Sequence, residues 1–408
     1  MACGGTYLAS MDTIILDNGG YSLKVGGSPS DSPKVLPNCI TRSKTERRKN
    51  FISNQVDDCK DLSGLYYLLP FQKGYLVNWD TQRQIWDYVF GQNILNIKTC
   101  NHSLIVTEPI FNFSSIQENM DEIFFEDYKF QALTRLPSST LSSHNYSHTH
   151  SNTLCTLVVD SGYSFTHIVP HFRNKMIPNA TLRIDVGGKL LTNYLKETVS
   201  YRQLHVLDET YVMNQVKEDV CYVSGDFRKE MLSTHDRGNS ISCEYVLPNF
   251  SHHRRGYVKD REDKTKNMDE QSLVLGVERI ATPEILFYPS DIGVEQMGIP
   301  EAIVHSISLT PKEMHPHLYS NIVLMGGNAM FSGLKDRVED EVRKLAPSDY
   351  TVCVTAGDDP ITYSWFGGRV VADETSDVEP VTSAEYKEFG QNICLRKFGE
   401  QITWCPDM

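Results

Sequence analysis

The apolar and polar positions predict two short hairpins in distant parts of the chain. Residues 13–22 read TIILDNGGYS and residues 157–166 read LVVDSGYSFT. In each segment a β-branched apolar stretch ends in Asp, a small polar residue and Gly, and a second stretch of strand character follows. Each segment is typical of a buried strand that turns tightly into its neighbour. Glycine permits a positive φ at such a turn, and successive backbone N–H groups form a concave site for anions.

Two such turns predict a duplicated α/β architecture with a cleft between the halves. Each half would bind one side of a polyphosphate. A hydrated Mg²⁺ needs carboxylates nearby, so we assign Asp17 and Asp160 to the metal, through water. The alternative is that these aspartates only cap their turns.

A third segment, residues 321–342, favours the ligand-binding interpretation. An apolar strand ends at Gly326 and Gly327, where glycine lets the backbone approach a ligand closely. A helix is predicted from about Ser332, and the start of a helix is electropositive. The residues that share its apolar face are Leu334, Val338 and Val342.

Helical spacing also predicts core-facing helices at residues 79–90 and 116–125, and Gly187-Gly188 opens another helix that extends to about Leu195. Residues 136–152 are polar and rich in Ser and His, which predicts a mobile surface loop. A metal site is the weaker alternative there, because no Cys or carboxylate lies at ligand spacing. Its candidate ligands would be His144, His148 and His150.

Composition narrows the class of protein. A chain of 408 residues is too long for one small domain, so two lobes are expected. The ten cysteines include no C-x-x-C pair, which indicates neither a zinc site nor a disulfide framework. No apolar stretch approaches the roughly 18 residues of a membrane span, and residues 1–12 lack the features of a signal peptide. The net charge of −13 argues against a surface that binds nucleic acid as a whole.

Three polar segments are candidates for contacts with partners. The basic run at residues 42–49 indicates either contact with DNA phosphates, a localisation signal or a solvated loop. Residues 225–271 form a polar and charged insertion of the kind that often carries partner contacts. The acidic stretch at residues 373–388 is expected at the surface, with Tyr386 and Phe389 as possible docking anchors.

The chain resembles actin and the actin-related proteins over most of its length. The first phosphate loop of that family is similar to residues 16–20, with Lys24 downstream, and the second is similar to residues 160–162, with His167 downstream. The adenosine-side glycines of the family are similar to residues 326–331. Further stretches agree in the same order: residues 69–74, 78–80, 107–109, 130–132, 216–223 and 278–287.

This resemblance implies an α/β, actin-like ATPase fold: duplicated ribonuclease-H-like domains in two lobes, with four subdomains around a nucleotide cleft. The implied boundaries are residues 1–38, 71–150 and 363–408 for subdomain 1, 39–70 for subdomain 2, 151–186 and 295–362 for subdomain 3, and 187–294 for subdomain 4, which contains the insertion.

The resemblance also implies ATP or ADP with Mg²⁺ as the cofactor. Lys217 and Glu218 would lie against the base and ribose, although by themselves they are equally typical of an exposed helix pair. Gln131, expected in a helix, and His167, in a strand, are the candidates for organising the attacking water. The residues implied to bind the nucleotide are Asp17, Asn18, Gly19, Gly20, Lys24, Asp160, Gly162, Lys217, Glu218, Gly326, Gly327, Asn328 and Met330.

Two departures from the family pattern predict weak or no hydrolysis. Tyr21 stands where the family has a small residue, and Tyr163-Ser164 stand where actin has an acidic residue and Gly. A bulky side chain restricts the backbone near the phosphates, and loss of a carboxylate weakens control of a hydrated metal.

The amino-acid sequence of several segments is most similar to that of a nuclear branch of the actin-related proteins. That branch implies a non-catalytic architectural subunit of a Swr/SRCAP-type remodelling complex that exchanges the Z-type variant histone. The implied partners are a zinc-finger HIT-type subunit, the remodelling ATPase, and histones or the nucleosome, with nucleosomal DNA contact left open and no membrane. The implied location is nuclear, with a cytoplasmic pool left open.

The alternative is an enzyme of the same fold, either a filament-forming ATPase or a sugar-kinase-like phosphotransferase. Filaments are not expected, since the long loop that actin uses for filament contacts is not reproduced near residues 42–49. A kinase would need a carboxylate base for the substrate hydroxyl, and the motifs supply no obvious one.

Overall fold

Two large β-sheets with the same topology, each covered by helices, form the centre of the molecule. The computed structural model describes residues 12–44, 46, 49–233, 241–250, 253–259, 270–373 and 378–402. The strands are β1 (Thr13–Asn18), β2 (Ser22–Gly27), β3 (Lys34–Pro37), β4 (Ile40–Arg42), β5 (Asn50–Ile52), β6 (Tyr66–Leu68), β7 (Phe71–Gln72), β8 (Tyr75–Leu76), β9 (Ser103–Glu108), β10 (Ala132–Pro137), β11 (Cys155–Ser161), β12 (Thr166–Phe172), β13 (Lys175–Met176), β14 (Leu182–Ile184), β15 (Cys243–Val246), β16 (Tyr257–Val258), β17 (Ser272–Leu275), β18 (Ile322–Met325), β19 (Val354–Ala356) and β20 (Val381–Thr382).

Helices connect and cover these strands. The α-helices are α1 (Trp79–Phe90), α2 (Ser114–Glu122), α3 (Ser138–Thr149), α4 (Gly188–Arg202), α5 (Thr210–Val220), α6 (Phe227–Ser233), α7 (Glu278–Glu284), α8 (Ile299–Ser308), α9 (His315–Ser320), α10 (Leu334–Leu345), α11 (Tyr363–Ala372), α12 (Ser383–Phe389) and α13 (Gln391–Ile402). Short 3-10 segments lie at Ser53–Asp58, Thr99–Asn101, Pro178–Ala180, Pro289–Ile292, Lys312–Met314 and Gly327–Met330, and a π-helical segment lies at Ile123–Asp127.

The two large sheets repeat one topology. The first has the order β20-β10-β9-β1-β2-β3 and the second has the order β13-β12-β11-β18-β19, with β14 also paired to β12. In each sheet three consecutive antiparallel strands come first. A later strand, β9 or β18, then pairs in parallel with the first of them, and another, β10 or β19, pairs in parallel with that strand. The repeated order confirms the predicted duplicated α/β fold, and both predicted hairpins are present as β1–β2 and β11–β12.

Each large sheet has its own hydrophobic core, and a third, smaller core lies among residues 51–65. The sequence predicted the helices at 79–90 and from about 332 correctly, because their apolar faces are buried. Ile85, Trp86 and Val89 of α1 and Val338 and Val342 of α10 are all inaccessible to solvent. The smaller sheets are β5-β4-β6 and β16-β15-β17, while the implied subdomain boundaries stay a prediction.

The surface loop predicted at residues 136–152 is wrong, since this segment contains helix α3. Ser139, Thr140, Ser142 and Ser143 are buried, and a Cβ atom at Gly367 of α11 would lie 1.8 Å from the Leu141 carbonyl oxygen. The absence of a side chain at Gly367 lets α11 approach the backbone of α3, so the helix is buried although its sequence has no continuous apolar face. In the described residues, no group of three His, Cys, Asp or Glu could hold a metal.

The described parts of the other polar segments contribute strands and packed side chains to the fold. The insertion at 225–271 contributes β15 and β16, with Tyr245 fully buried. Tyr386, predicted as a docking anchor, stacks on Phe125 with ring centroids 4.4 Å apart and is therefore committed to its own lobe, whereas Phe389 is 53% exposed.

Part of the basic run at 42–49, namely residues 45, 47 and 48, lies outside the described residues. The eight cysteines that the structure describes are all free. None of the described helices is both long enough and apolar enough to span a membrane.

Candidate functional site

The carboxyl ends of the parallel strands of both sheets meet at one place. Ser138, directly after β10, donates a hydrogen bond from Oγ to Asp160 Oδ2 at the end of β11, over 2.7 Å. A Cβ atom at Gly20, in the turn after β1, would lie 3.2 Å from Ser164 Oγ in the turn after β11, so the two turns are neighbours. Ligands of open α/β sheets bind outside the carboxyl ends of strands, and the two predicted turns therefore face one common cleft.

Asp17 is held by three side chains at the first turn. Its Oδ1 accepts from Thr107 Oγ1 at 2.8 Å and its Oδ2 accepts from Ser364 Oγ at 2.8 Å. Lys24 Nζ lies 3.2 Å from the same Oδ2. The backbone N–H of Asn18 donates to Thr107 Oγ1, so this hydroxyl links β9 to the turn. A carboxylate so oriented is suited to hold the water shell of a cation.

The predicted positive φ is wrong for three of the turn glycines, and Gly19 is needed for lack of space. Gly19, Gly20 and Gly162 are absent from the positive-φ glycines of the described chain. A Cβ atom at Gly19 would instead lie 2.7 Å from the Ser22 carbonyl oxygen. Gly326 is the glycine of this site that needs the left-handed region, with φ of 90° and a Cβ position 2.3 Å from the Ser161 carbonyl oxygen.

Asp160 at the second turn is partly buried, next to the end of β11. Burial raises its pKa to about 6, the hydrogen bond from Ser138 lowers it, and the charge of Asp17 raises it. A cation placed between the two carboxylates would favour their ionised forms. Asp17 and Asp160 are therefore suited to the predicted magnesium role.

His167 lies opposite Asp160 in the register of β11 and β12, so both side chains are on the same face. Its ring lies 4.1 Å from that of Phe165 and 6.2 Å from that of Phe111, by centroids. Within the described chain its Nε2 is buried without a hydrogen-bond partner. Burial lowers its pKa to about 3, with Arg183 adding to the shift, so the ring is neutral and can accept or donate a hydrogen bond.

Gln131 does not lie at this site, and the prediction that it organises water is wrong. It precedes β10 outside any helix, its Nε2 donates to the Cys100 carbonyl oxygen at 2.8 Å, and its carbonyl accepts from Ser383. Because β10 runs parallel to β1 and β9, its amino end is about 20 Å from the end that faces the cleft. Ser138 occupies the cleft end of that strand instead.

Lys217 is buried, which excludes the exposed helix pair considered from the sequence. Its Nζ donates to Asn214 Oδ1 at 2.9 Å, Thr192 Oγ1 at 3.1 Å and the Gly188 carbonyl oxygen at 3.3 Å. Burial lowers its pKa. Glu218 is exposed and accepts from Asn214 Nδ2 at 2.7 Å. Asn214 therefore connects the two residues of the pair.

Asn328 ties the adenosine-side turn to the second phosphate turn. Its Nδ2 donates to Ser161 Oγ at 3.1 Å and to the Gly162 carbonyl oxygen at 3.0 Å. A Cβ atom at Gly327 would meet nothing within 4 Å, and Met330 is 57% exposed. The backbone at Gly327 thus faces open space that a ligand could fill.

Two tyrosines meet where the phosphate turns approach each other. The rings of Tyr21 and Tyr163 have centroids 5.1 Å apart, and the Tyr21 hydroxyl accepts from Asn214 Nδ2 at 3.1 Å. A Cβ atom at Gly20 would lie 3.2 Å from Ser164 Oγ. The turns of the two lobes are therefore in direct contact at this side of the cleft.

These residues fit a nucleotide with a hydrated cation. The paired carboxylates suit the cation. The Nε2 atom of His167 has no hydrogen-bond partner among the described residues and could bind a ligand or water. The backbone at Gly327 leaves space for a ligand. Sequence reasoning missed Thr107, Ser138, Asn214 and Ser364. Thr107 belongs to the family-like segment 107–109, which could have revealed it, but no local signal marks Ser138, Asn214 or Ser364.

Comparison with known proteins agrees with this geometry. Residues 8–399 match the profile of the actin family. The chain is 43% identical to actin-related protein 6 of Drosophila melanogaster, over 92% of this chain and 97% of the relative. It is 38% identical to actin-related protein 6 of Arabidopsis thaliana, over 94% and 99%, and 35% identical to that of Dictyostelium discoideum, over 94% of both. The chain has the actin-like ATPase fold and belongs to the actin family, among the actin-related proteins of type 6.

Proposed function

We propose that the chain is a non-catalytic architectural subunit of a nuclear Swr/SRCAP-type ATP-dependent chromatin-remodelling complex that exchanges the Z-type variant histone into nucleosomes. The resemblance to the nuclear branch of its family supports this proposal. In this complex a separate remodelling ATPase hydrolyses ATP. This chain binds a zinc-finger HIT-type subunit and helps to engage histones, the nucleosome or nucleosomal DNA.

The observation that carries the non-catalytic part is the contact between Tyr21 and Tyr163. Hydrolysis of a nucleoside triphosphate needs a positioned water and stabilisation of charge on the transferred phosphoryl group. The two rings stand 5.1 Å apart at the phosphate turns, and Ser138, which ends β10 at the cleft, donates its hydroxyl to Asp160. These contacts favour a pocket that retains a ligand over one that turns it over.

A bound ATP or ADP with Mg²⁺ would supply negative charge and contacts to both lobes. Asp17 and Asp160 would hold the water shell of the cation, the turn at Gly162 would face the phosphates, and Lys217 and Glu218 would lie on the ribose side. A ligand that binds only the folded state stabilises it by about 2.7 kcal/mol at a hundredfold excess over Kd. The nucleotide is thus proposed as a structural ligand.

Steady-state phosphate release by the purified chain tests the non-catalytic proposal. We expect no sustained release above the rate of a sample in which Asp160 is replaced by Asn. Turnover comparable with that of an actin ATPase would refute the proposal.

The proposed assembly is tested by mass spectrometry of what remains attached to the tagged chain after gentle purification from nuclear extract. We expect a zinc-finger HIT-type subunit and a remodelling ATPase in stoichiometric amounts. Recovery of the chain alone or with filaments of itself would favour the alternative, a filament-forming ATPase, and sedimentation under polymerising salt would decide between the two.

A further inference from the structure

The arm, which comprises residues 39–68 with strands β4, β5 and β6, is completed by residues of the opposite lobe. Its small core contains five buried side chains, and three partly buried aromatic residues pack against that core. Of these, Tyr67 belongs to the arm itself, Tyr211 to α5, and Phe250 to the insertion after β15. The core residues are Phe51, Val56, Cys59, Leu62 and Leu65.

Polar contacts fasten the same two surfaces. Arg254 of the insertion donates from Nη2 to the carbonyl oxygens of Asp57, at 2.5 Å, and Cys59, at 2.8 Å. Glu209 accepts from the buried N–H of Gly64 with both carboxylate oxygens, at 3.1 and 2.9 Å. A buried N–H that lost this partner would remain unsatisfied, so opening the arm requires Gly64 to become solvated.

The segment of the insertion that reaches the arm is rigidly attached to its own lobe. Arg255 Nη2 lies 2.6 Å from Asp219 Oδ1, and the Tyr245 hydroxyl donates to Asp219 Oδ2 at 2.8 Å. A Cβ atom at Gly256 would lie 2.4 Å from the ring of Tyr245. Phe250 has a positive φ of 54°, a conformation that a non-glycine residue adopts only when its surroundings hold it there.

The arm begins directly at the first turn of the cleft. Asn38, which precedes the arm, donates from its backbone N–H to the Tyr21 carbonyl oxygen at 2.9 Å and from Nδ2 to the Gly19 carbonyl oxygen at 2.9 Å. Tyr21 in turn contacts Tyr163 of the second turn and Asn214 of α5, so the arm and both sides of the cleft are joined.

We propose that Phe250 and Arg254 form a latch that holds the arm shut over the cleft entrance, so that a ligand leaves the cleft only after the latch opens. The insertion thereby has a function within this chain, in addition to any contact with a partner. The contacts described above support the closed position of the arm, whereas slow exchange of a nucleotide also rests on the proposed function.

Amide hydrogen exchange of residues 57–66, measured by mass spectrometry on the full chain, tests the latch without any ligand. We expect Arg254→Ala and Phe250→Ala each to accelerate this exchange at least about tenfold, because each removes a contact that resists local opening of the arm. Arg228→Ala, which changes an exposed arginine on α6 of the same insertion, is the matched control and leaves the rate unchanged. Exchange that is unaffected in both test variants overturns the latch.

Release of a fluorescent ADP analogue, chased with unlabelled ADP, tests the consequence for exchange. We expect release to be about tenfold faster from Arg254→Ala than from the wild type, in proportion to the amide exchange. Unchanged release despite faster amide exchange would overturn the control of ligand exit. Absence of binding in every variant would refute the proposed pocket, while the amide exchange still decides the latch.

Discussion

Asn214 donates a hydrogen bond from Nδ2 to the hydroxyl of Tyr21, 3.1 Å away, and so joins the first phosphate turn to helix α5 across the cleft. The same amide group donates to Glu218 and accepts from Lys217 and Thr192. The bulky residue that departs from the family pattern is therefore an integrated part of the cleft. It connects a phosphate turn to the residues implied to bind the ribose.

Tyr21→Phe keeps the ring against Tyr163 and removes the hydroxyl. We expect the free energy of unfolding to fall by about 1 kcal/mol, since one partly buried hydrogen bond is lost. Urea unfolding measures the change. Tyr201→Phe is the control, because Tyr201 is 93% exposed and its hydroxyl lies in water; an equal loss in both variants would contradict the expectation.

Tyr21→Gly removes the ring that spans the cleft and restores backbone freedom to the turn. We expect affinity for ADP with Mg²⁺ to fall about tenfold, which corresponds to about 1.4 kcal/mol, because the contacts of Tyr21 with Tyr163 and Asn214 hold the two sides of the cleft together. Isothermal titration calorimetry measures the Kd. Binding as tight as that of the wild type, or tighter, would mean that the ring does not help to retain the ligand.

Gly367→Ala tests the close contact between α3 and α11. The new Cβ would lie 1.8 Å from the Leu141 carbonyl oxygen, so the helices must separate, at a cost of about 3 kcal/mol or more in the free energy of unfolding. Thermal unfolding reports the effect. Gly225→Ala, where a Cβ meets nothing within 4 Å, is expected to change stability by less than about 0.5 kcal/mol.

Arg135 is paired with two buried carboxylates and provides a test of charge burial. It lies 3.2 Å from Glu108 and 2.8 Å from Asp121, with all three side chains at most 3% exposed. Arg135→Met leaves both carboxylates without their cation and should cost about 3–5 kcal/mol. Arg83→Met breaks an exposed pair with Asp127 and should cost less than about 1 kcal/mol. Similar losses in the two variants would show that Arg135 acts by packing alone.

Asp121 is expected to make stability depend on pH. Burial raises its pKa from 3.8 to about 7, although Arg135 opposes the shift. The folded state therefore holds this proton more tightly than the unfolded state. The resulting stabilisation is full below about pH 4 and is lost as pH rises through about 7. Urea unfolding between these values should show a flatter pH dependence for Asp121→Asn, whereas Asp127→Asn should follow the wild type.

The elements predicted best were those whose local pattern matches their burial. The hairpins β1–β2 and β11–β12 and the helices α1 and α10 have apolar residues at the period of their structure. Helix α3 was missed because Ser139, Thr140, Ser142 and Ser143 are among its buried residues, so its burial leaves no apolar stripe in the sequence. Gln131 was misplaced because the family resemblance alone put it at the attacking water, whereas it lies before the amino end of a parallel strand.

The sequence by itself determined the two hairpins, the aspartates that end their first strands and the glycine turns, because these depend on neighbouring residues and on steric limits of the backbone. It also determined the family, through the number and order of the matching segments. Only the tertiary structure decided that Ser138 and Ser364 hold the two aspartates, that Tyr21 reaches Asn214, and that Phe250 closes the arm. These contacts join residues far apart in the chain, and their geometry follows from how the two lobes pack together.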